Sequence, residues 1–198
     1  MPRPVTHDRA AALDAAMALF WVRGYHATSL KDLEAALNMR PGSIYAAFRS
    51  KEGLYRAALD LYAGRMQAEL RDLALAAPAP LAALQAHLRA IAGQSCGTQR
   101  PSSACMLVKA LLDHPQEGAL RDLVLTHLDG VEQILAEAFA RAGEMGELPR
   151  GSDPARLARR MQTYVFGLKI QAQRGLAPEA MQRLCDDLAA ELGALVPA

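Results

Sequence analysis

The stretch TSLKDLEAALNMRPGSIYAAFRSKEGLY, residues 28–55, decides the fold of this chain. Hydroxyl side chains that can cap a helix come first, and Leu30, Leu33 and Leu37 follow with the spacing of one buried helix face. Asn38-Met39-Arg40 can supply a turn, because asparagine tolerates the left-handed backbone that ends many helices. The stretch therefore opens with one short helix that ends in a tight turn.

A second helix starts at once, since Pro41 suits the first helical position, where its missing N–H costs little. Ile44 and Phe48 share its inner face, and residues 50–53 cap and begin a third helix. The residues expected on the outer face of the second helix are Arg40, Ser43, Tyr45, Ala46 and Ala47. Two short helices joined this way are typical of a helix-turn-helix, which presents a helix to the DNA major groove. Three ordinary helices of an all-α core remain the alternative.

Five motifs in the first 55 residues carry a family resemblance. They are Leu19-Phe20, Gly24-Tyr25, Thr28-Ser29, Gly42-Ser43-Ile44-Tyr45 and Phe48-Arg49-Ser50-Lys51-Glu52. In this order and spacing they resemble the DNA-binding domain of the TetR family. Pro41 stands where that family usually has a basic residue, and Ala46-Ala47 where a histidine or polar residue often follows the tyrosine.

Helical periodicity continues through the rest of the chain and predicts an all-α fold with about nine helices. We expect helices over about 7–23, 28–37, 41–48, 51–75, 80–93, 104–113, 116–142, 154–174 and 178–195, with an irregular loop at 94–103. The expected domains are a helix-turn-helix domain over 1–55 and a helical ligand-binding and dimerisation domain over 56–198. The resemblance implies this architecture and a homodimer in which the last two helices of each subunit form a four-helix bundle. The alternative is that their apolar faces are internal core.

Composition narrows the class of protein. The chain has 198 residues, 52% of them hydrophobic with few aromatics, which favours helices. It has neither 18 consecutive apolar residues nor a signal-peptide pattern, and its three cysteines fit a reducing compartment, so we expect a cytoplasmic protein without a membrane partner. Residues 1–56 carry eight basic and five acidic side chains, and the remainder fourteen and sixteen. We call residues 1–56 the head and the remaining residues the body. A weakly basic head on a weakly acidic body suits one DNA-facing end.

The predicted DNA contacts lie on and beside the second helix of the motif. Arg40 and Ser43 are the candidate base readers, since arginine can bind guanine through two hydrogen bonds. The resemblance implies phosphate contacts from Tyr45, Thr28 and Lys51, and helix N-termini suit anions. Thr28 could instead be a plain helix cap. The full predicted set is Thr28, Arg40, Gly42, Ser43, Tyr45, Arg49 and Lys51, with double-stranded operator DNA as the partner.

A small-molecule effector site is expected in the helical body between helices five and eight. Its predicted lining is Cys105, Met106, Lys109, His127, Met161 and Tyr164. Lys109 could meet an anionic group or be a solvated surface lysine. Cys105-Met106-Leu107-Val108 is similar to a segment of family members that sense reactive electrophiles, and a thiol at a helix N-terminus reacts more readily. The interpretation that we favour for Cys105 is a small buried side chain, and Cys185 is expected to pack.

The sequence contains no nucleophile elbow, phosphate loop, dinucleotide fingerprint or zinc spacing, so we predict no enzyme activity, cofactor or metal site. The leading hypothesis is a repressor that binds a palindromic operator as a homodimer and is released by a small molecule. A ligand-independent or activating DNA-binding protein is the nearest alternative. A helical enzyme or carrier is the alternative from a different class.

Overall fold

The computed structural model describes residues 9–95, 101–114 and 116–194, and these ranges form nine α-helices without a strand. The helices are α1 (Arg9–Arg23), α2 (Leu30–Leu37), α3 (Pro41–Phe48), α4 (Lys51–Leu75), α5 (Pro80–Ser95), α6 (Met106–Asp113), α7 (Ala119–Glu144), α8 (Pro154–Gln173) and α9 (Pro178–Gly193). The predicted all-α fold is confirmed. The expected start of the first helix at His7, the cysteine Cys96 and the expected end near Leu195 lie outside the described residues.

Several helix ends differ from the predicted positions. Helix α5 continues to Ser95 instead of fading at Gly93. Helix α6 begins two residues late, because Cys105 is its N-cap in an extended conformation and the Ala104 N–H bonds to side chains instead. Helix α7 begins at Ala119 and not at the predicted residue 116, because Gly118 adopts φ 154°, which is not a helical conformation.

The helix-turn-helix follows from its local chemistry. Ser29 is the N-cap of α2 and forms a capping box with Asp32, so each side chain bonds the backbone of the other residue. Asn38 ends α2 in the left-handed conformation, at φ 50°. The N-cap is thus Ser29 and not Thr28. At the start of α4, a Cβ on Gly53 would overlap the Phe48 carbonyl oxygen, so glycine permits the close approach of α3 and α4.

The buried residues form two hydrophobic clusters. The first joins α1–α4 to α6 and the start of α7, with Phe20, Ile44, Tyr55 and Leu107 among its members. The second joins the end of α4 to α5, α7, α8 and α9. Helix α4 is continuous across both, so the expected domain boundary at residue 55 falls near its first turn. That boundary stays a prediction.

Within the described ranges, no helix is both long enough and apolar enough to cross a membrane.

Candidate nucleic-acid interface and effector cavity

Helix α3 presents its predicted contact residues to solvent. Ile44 and Phe48 are buried, as the spacing predicted, and hold the helix on the first cluster. Tyr45 is 45% exposed although it is a large aromatic side chain. The other predicted contact residues that are exposed on and beside this helix are Arg40, Gly42, Ser43 and Arg49. These five form one accessible surface with two arginines, a hydroxyl and a phenol, and we call it the reader surface.

Two of the predicted phosphate contacts lie off the reader surface. The hydroxyl of Thr28 is fully buried and donates a hydrogen bond of 2.7 Å to the Gly24 carbonyl oxygen. Thr28 therefore ties α2 to the end of α1, and its side chain does not reach the surface. Lys51 occupies the first position of α4 with its Nζ 4.4 Å from the centre of the Tyr25 ring. Partial burial lowers the pKa of Lys51, and Tyr25 orients its ammonium group.

A cavity of about 160 Å³ lies in the body between α4, α5, α7 and α8. Its wall is mostly aliphatic and aromatic, and Cys105 at the start of α6 closes one side. The polar groups on its lining are Glu69, His87, Gln162 and Lys169. The Gln162 side-chain amide also donates to the Leu128 carbonyl oxygen at 3.0 Å. The cavity is thus an apolar chamber with a few polar side chains, as small-molecule sites commonly are.

Of the six residues predicted to line an effector site, Cys105 lines this cavity and the other five do not. Met106 and Met161 are fully buried in the first and second clusters. The Nε2 of His127 lies 2.8 Å from Asp60 Oδ1, across α4 and α7. The Tyr164 hydroxyl donates to Glu191 at 2.7 Å, which ties α8 to α9. Their prediction rests on helical position, which does not distinguish a cavity wall from a packed or solvent-facing side.

Lys109 has a different role from the one predicted. Its Nζ donates hydrogen bonds to the carbonyl oxygens of Trp21 at 2.5 Å and Val22 at 3.0 Å. Those carbonyls belong to the last turn of α1, where helical carbonyls lack internal partners and the helix dipole favours a cation. Lys109 therefore caps the C-terminal end of α1 from its position on α6.

Helix α6 holds the head at a second point, which borders the cavity. The indole N–H of Trp21 donates to the Ala104 carbonyl oxygen at 2.6 Å, and the Trp21 ring packs edge-on against Tyr62 at 4.8 Å. The Tyr62 hydroxyl in turn donates to the Cys105 sulfur at 3.7 Å. One short segment, Ala104-Cys105, thus contacts both the cavity and the last turn of α1. We call the contacts of α1 with Ala104 and Lys109 the α1–α6 joint.

Sequence reasoning missed most of these residues. Trp21, the one tryptophan of the chain, and Lys109 meet across 88 positions of sequence, which no local pattern reveals. Glu69, His87 and Lys169 could have been noticed as polar residues within helices that are otherwise apolar toward the core. Their convergence on one chamber required the packing of four helices.

The family is identified by comparison with known proteins. The family description "Bacterial regulatory proteins, tetR family" matches residues 12–58, and "BetI-type transcriptional repressor, C-terminal" matches residues 85–194. The HTH-type transcriptional repressor ComR of Escherichia coli (strain K12) is 32% identical over 183 residues, covering 92% of this chain and 87% of ComR. The repressor BdcR of the same organism is 26% identical over 184 residues, covering 92% of this chain and 86% of BdcR.

Solved structures of TetR family regulators have the same fold as this chain. A cysteine mutant of the TetR family transcriptional regulator CifR, complexed with 26-bp double-strand operator DNA, superposes with a TM-score of 0.83 and 31% identity. The match covers 99% of this chain and 100% of that one. The reduced form of E. coli NemR has the same fold, with a TM-score of 0.83 at 19% identity and 96% of each chain covered.

The fold and the reader surface define a helix-turn-helix transcriptional regulator. The chain belongs to the TetR family of bacterial regulatory proteins. This membership confirms the sequence-based prediction of a regulator that is not an enzyme.

Proposed function

We propose that this chain is a cytoplasmic repressor that binds a palindromic operator as a homodimer and leaves the DNA when a small molecule occupies the cavity. The observation that carries this proposal is the Ala104-Cys105 segment, which borders the cavity on one side and bonds to the head on the other. The curated relatives ComR and BdcR are described as repressors, and a CifR mutant was solved on operator DNA. A ligand-independent regulator remains the alternative.

DNA binding is assigned to the reader surface. Arg40 and Ser43 are proposed to contact bases, while Tyr45 and Arg49 contact phosphates and fix the position of α3 in the major groove. Lys51 contributes a phosphate contact because Tyr25 holds its ammonium group at the start of α4. Gly42 lets the DNA backbone approach the start of α3, since nothing lies within 4 Å of the space that a Cβ would take. Thr28 acts indirectly, by fixing α2 to α1.

Dimerisation is assigned to the outer faces of α8 and α9. Ile170 on α8 is 46% exposed, and the space beside Gly167, one turn earlier, is open. An exposed apolar side chain next to a glycine suits close packing against a second helix. In a dimer, two reader surfaces would lie in successive major grooves of a palindromic site.

The size of the cavity limits the effector. A chamber of about 160 Å³ is near the volume that accommodates a benzene-sized molecule. The apolar wall favours a small, mainly apolar compound, and Glu69, His87 and Lys169 offer polar partners for one functional group. A compound that fills the chamber would push on Cys105 and thereby change the α1–α6 joint, which sets the angle of the head. Release requires that the effector bind this second arrangement more tightly than the DNA-bound one.

A random pool of duplex DNA selected with the full-length protein tests the DNA-binding part. We expect a palindromic sequence whose affinity falls steeply with salt. The variant Tyr45→Ala should weaken binding to every duplex about equally, whereas Arg40→Ala should relax the preference at one base pair of each half-site by roughly 1–3 kcal/mol. Leu112→Ala, at an exposed α6 position, is the matched control. Enrichment of no sequence would refute operator binding.

Light scattering tests the dimer. The protein should have twice the chain mass of 21.3 kDa at micromolar concentration. The variant Ile170→Glu should reduce this mass, whereas Leu112→Glu, an equally drastic change at an exposed leucine of α6, should not. A monomer mass for the unmodified protein would contradict the assembly.

A filled cavity tests the effector site. The variant Val131→Phe should retain operator binding but lose release by any compound that a panel of small apolar molecules identifies. A thiol-reactive effector is a second candidate, because Cys105 lines the chamber. In that case Cys105→Ser should abolish release by N-ethylmaleimide, and Cys185→Ser should not. Normal release of the Cys105→Ser variant would leave reversible binding as the better account.

A further inference from the structure

Two histidines meet where the head rests on the body, in a part of the molecule that the proposed function does not use. His26 lies in the loop between α1 and α2, and His114 is the C-cap of α6. Their ring centres are 5.3 Å apart, and the Nε2 of His26 lies 3.4 Å from the Asp113 carbonyl oxygen. The Nε2 of His114 is buried and has no hydrogen-bond partner among the residues that the structure describes. We call this pair the histidine contact.

The groups around the histidine contact come from three helices and two connecting segments. Tyr25 of the α1–α2 loop and Tyr55 of α4 have ring centres 5.4 Å and 6.0 Å from that of His114. The guanidinium of Arg121 on α7 donates to the His114 carbonyl oxygen at 3.5 Å. The adjoining cleft is lined by three carboxylates, Glu52 of α4, Asp113 of α6 and Glu117, which precedes α7. Lys51 lies on the far side of the contact, over the Tyr25 ring.

These surroundings favour the neutral form of His114. An imidazolium needs acceptors for both ring N–H groups, and the described part of the chain provides none for the buried Nε2. Burial lowers the pKa of His114 below the ordinary 6.5, and the neighbouring His26 lowers it further, while Asp113 and Glu52 oppose the shift. The unfolded chain therefore binds a proton at His114 more readily than the folded chain does. The stabilisation from neutral His114 is present above pH 6.5 and is lost as the pH falls below it.

We propose that the histidine contact is a proton-sensitive attachment of the head, which holds while His114 is neutral and loosens when His114 takes up a proton. The charged ring would either move away from the His26 ring, whose centre is 5.3 Å away, or turn its Nε2 toward water or the cleft carboxylates. Either movement separates the α1–α2 loop from the end of α6. Acid would thus loosen the head without any ligand, and it would do so at the end of α6 that lies farther from the cavity.

The fluorescence of Trp21 reports on this event without DNA, since it is the one tryptophan and lies in the α1–α6 joint. Between pH 7.5 and 5.5 its emission should shift reversibly to the red, while circular dichroism detects no loss of helix. The variants His114→Gln and His26→Gln should each remove most of the shift. His127→Gln, which alters a histidine between α4 and α7, should retain it.

Three results would overturn the proposal: a constant emission in the unmodified protein, an unchanged shift in His114→Gln, or a shift that accompanies loss of helix. The link to DNA rests on the proposed function and is measured separately with the selected duplex. Between pH 7.5 and 5.5, the unmodified protein should lose affinity about fivefold or more relative to His114→Gln. A fluorescence shift with no difference in affinity would refute control of DNA binding by the histidine contact. Failure to select any duplex would refute operator binding and leave the fluorescence result standing.

Discussion

Replacing Lys109 by methionine tests whether the body fixes the head through the last turn of α1. Methionine retains most of the apolar stem but removes the ammonium group that bonds to the Trp21 and Val22 carbonyl oxygens. A hydrogen bond from a charged group contributes roughly 1.5–3 kcal/mol when buried. Partial exposure of Lys109 reduces this value through solvent screening, so we expect a net loss of about 2 kcal/mol for the pair of bonds.

For a chain of this size, that loss corresponds to a decrease in Tm of about 4–8 °C. Urea unfolding followed by circular dichroism and by Trp21 fluorescence measures it, and the variant should also emit further to the red before unfolding begins. Lys31→Met, at an exposed position of α2, is the control and should stay within about 0.5 kcal/mol of the unmodified protein. An unfolding midpoint for Lys109→Met equal to that of the control would refute the capping role. Reduced effector binding with normal stability would restore the original prediction that Lys109 lines the effector site.

Three further predictions concern α2, α3 and the start of α4. Gly53→Ala should destabilise the protein by about 1–3 kcal/mol, because the added Cβ would overlap the Phe48 carbonyl oxygen. The control Gly64→Ala, in open space on the same helix, should stabilise the protein by about 0.5–1 kcal/mol. Equal thermal stability of the two variants would contradict the close approach of α3 and α4. Ile44→Ala should cost about 2–5 kcal/mol and lower operator affinity in a gel-shift titration, since this fully buried side chain seats α3. Hydrogen bonds from Ser29 and the neighbouring Arg23 lower the pKa of Asp32 to about 2. The contribution of Asp32 to stability is therefore present above pH 3.8 and is lost as the pH falls toward 2. Asp32→Asn should make stability less dependent on pH in this window, and an unchanged acid unfolding transition would show that the capping box does not cause the dependence.

The helix-turn-helix could be predicted from sequence because the signals that begin and end its helices lie in neighbouring residues. The Ser29 cap, the left-handed Asn38 and the Pro41 start are each read from one or two neighbouring residues, and Ile44 and Phe48 follow from a single helical period. The role of Thr28 could not be predicted in the same way, because either of two adjacent hydroxyl residues can cap α2. Only the structure shows which hydroxyl turns inward to the Gly24 carbonyl oxygen.

The body could be predicted as helices but not as a site. A cavity arises where packed helices leave a gap, and that gap depends on the shapes of side chains from distant parts of the chain. Of the six residues predicted for the lining, Cys105 borders the cavity because it directly precedes α6, a position that no periodic pattern marks. Lys109, on the outer side of the same helix, follows the same period as a lining residue would but points to the head.

The tight connection between α3 and α4 makes the long fourth helix a lever arm. Arg49 is held at φ 68°, and the backbones of Phe48 and Gly53 are in contact, so α3 and the start of α4 must move as one piece. With 25 residues, α4 is about 37 Å long, and its far end lines the cavity. A tilt of about 5° about that end would carry α3 through roughly 3 Å. This travel is close to the axial rise of one base pair, about 3.4 Å. In the proposed repressor, a rotation of this size would therefore displace α3 along the operator by about one base pair.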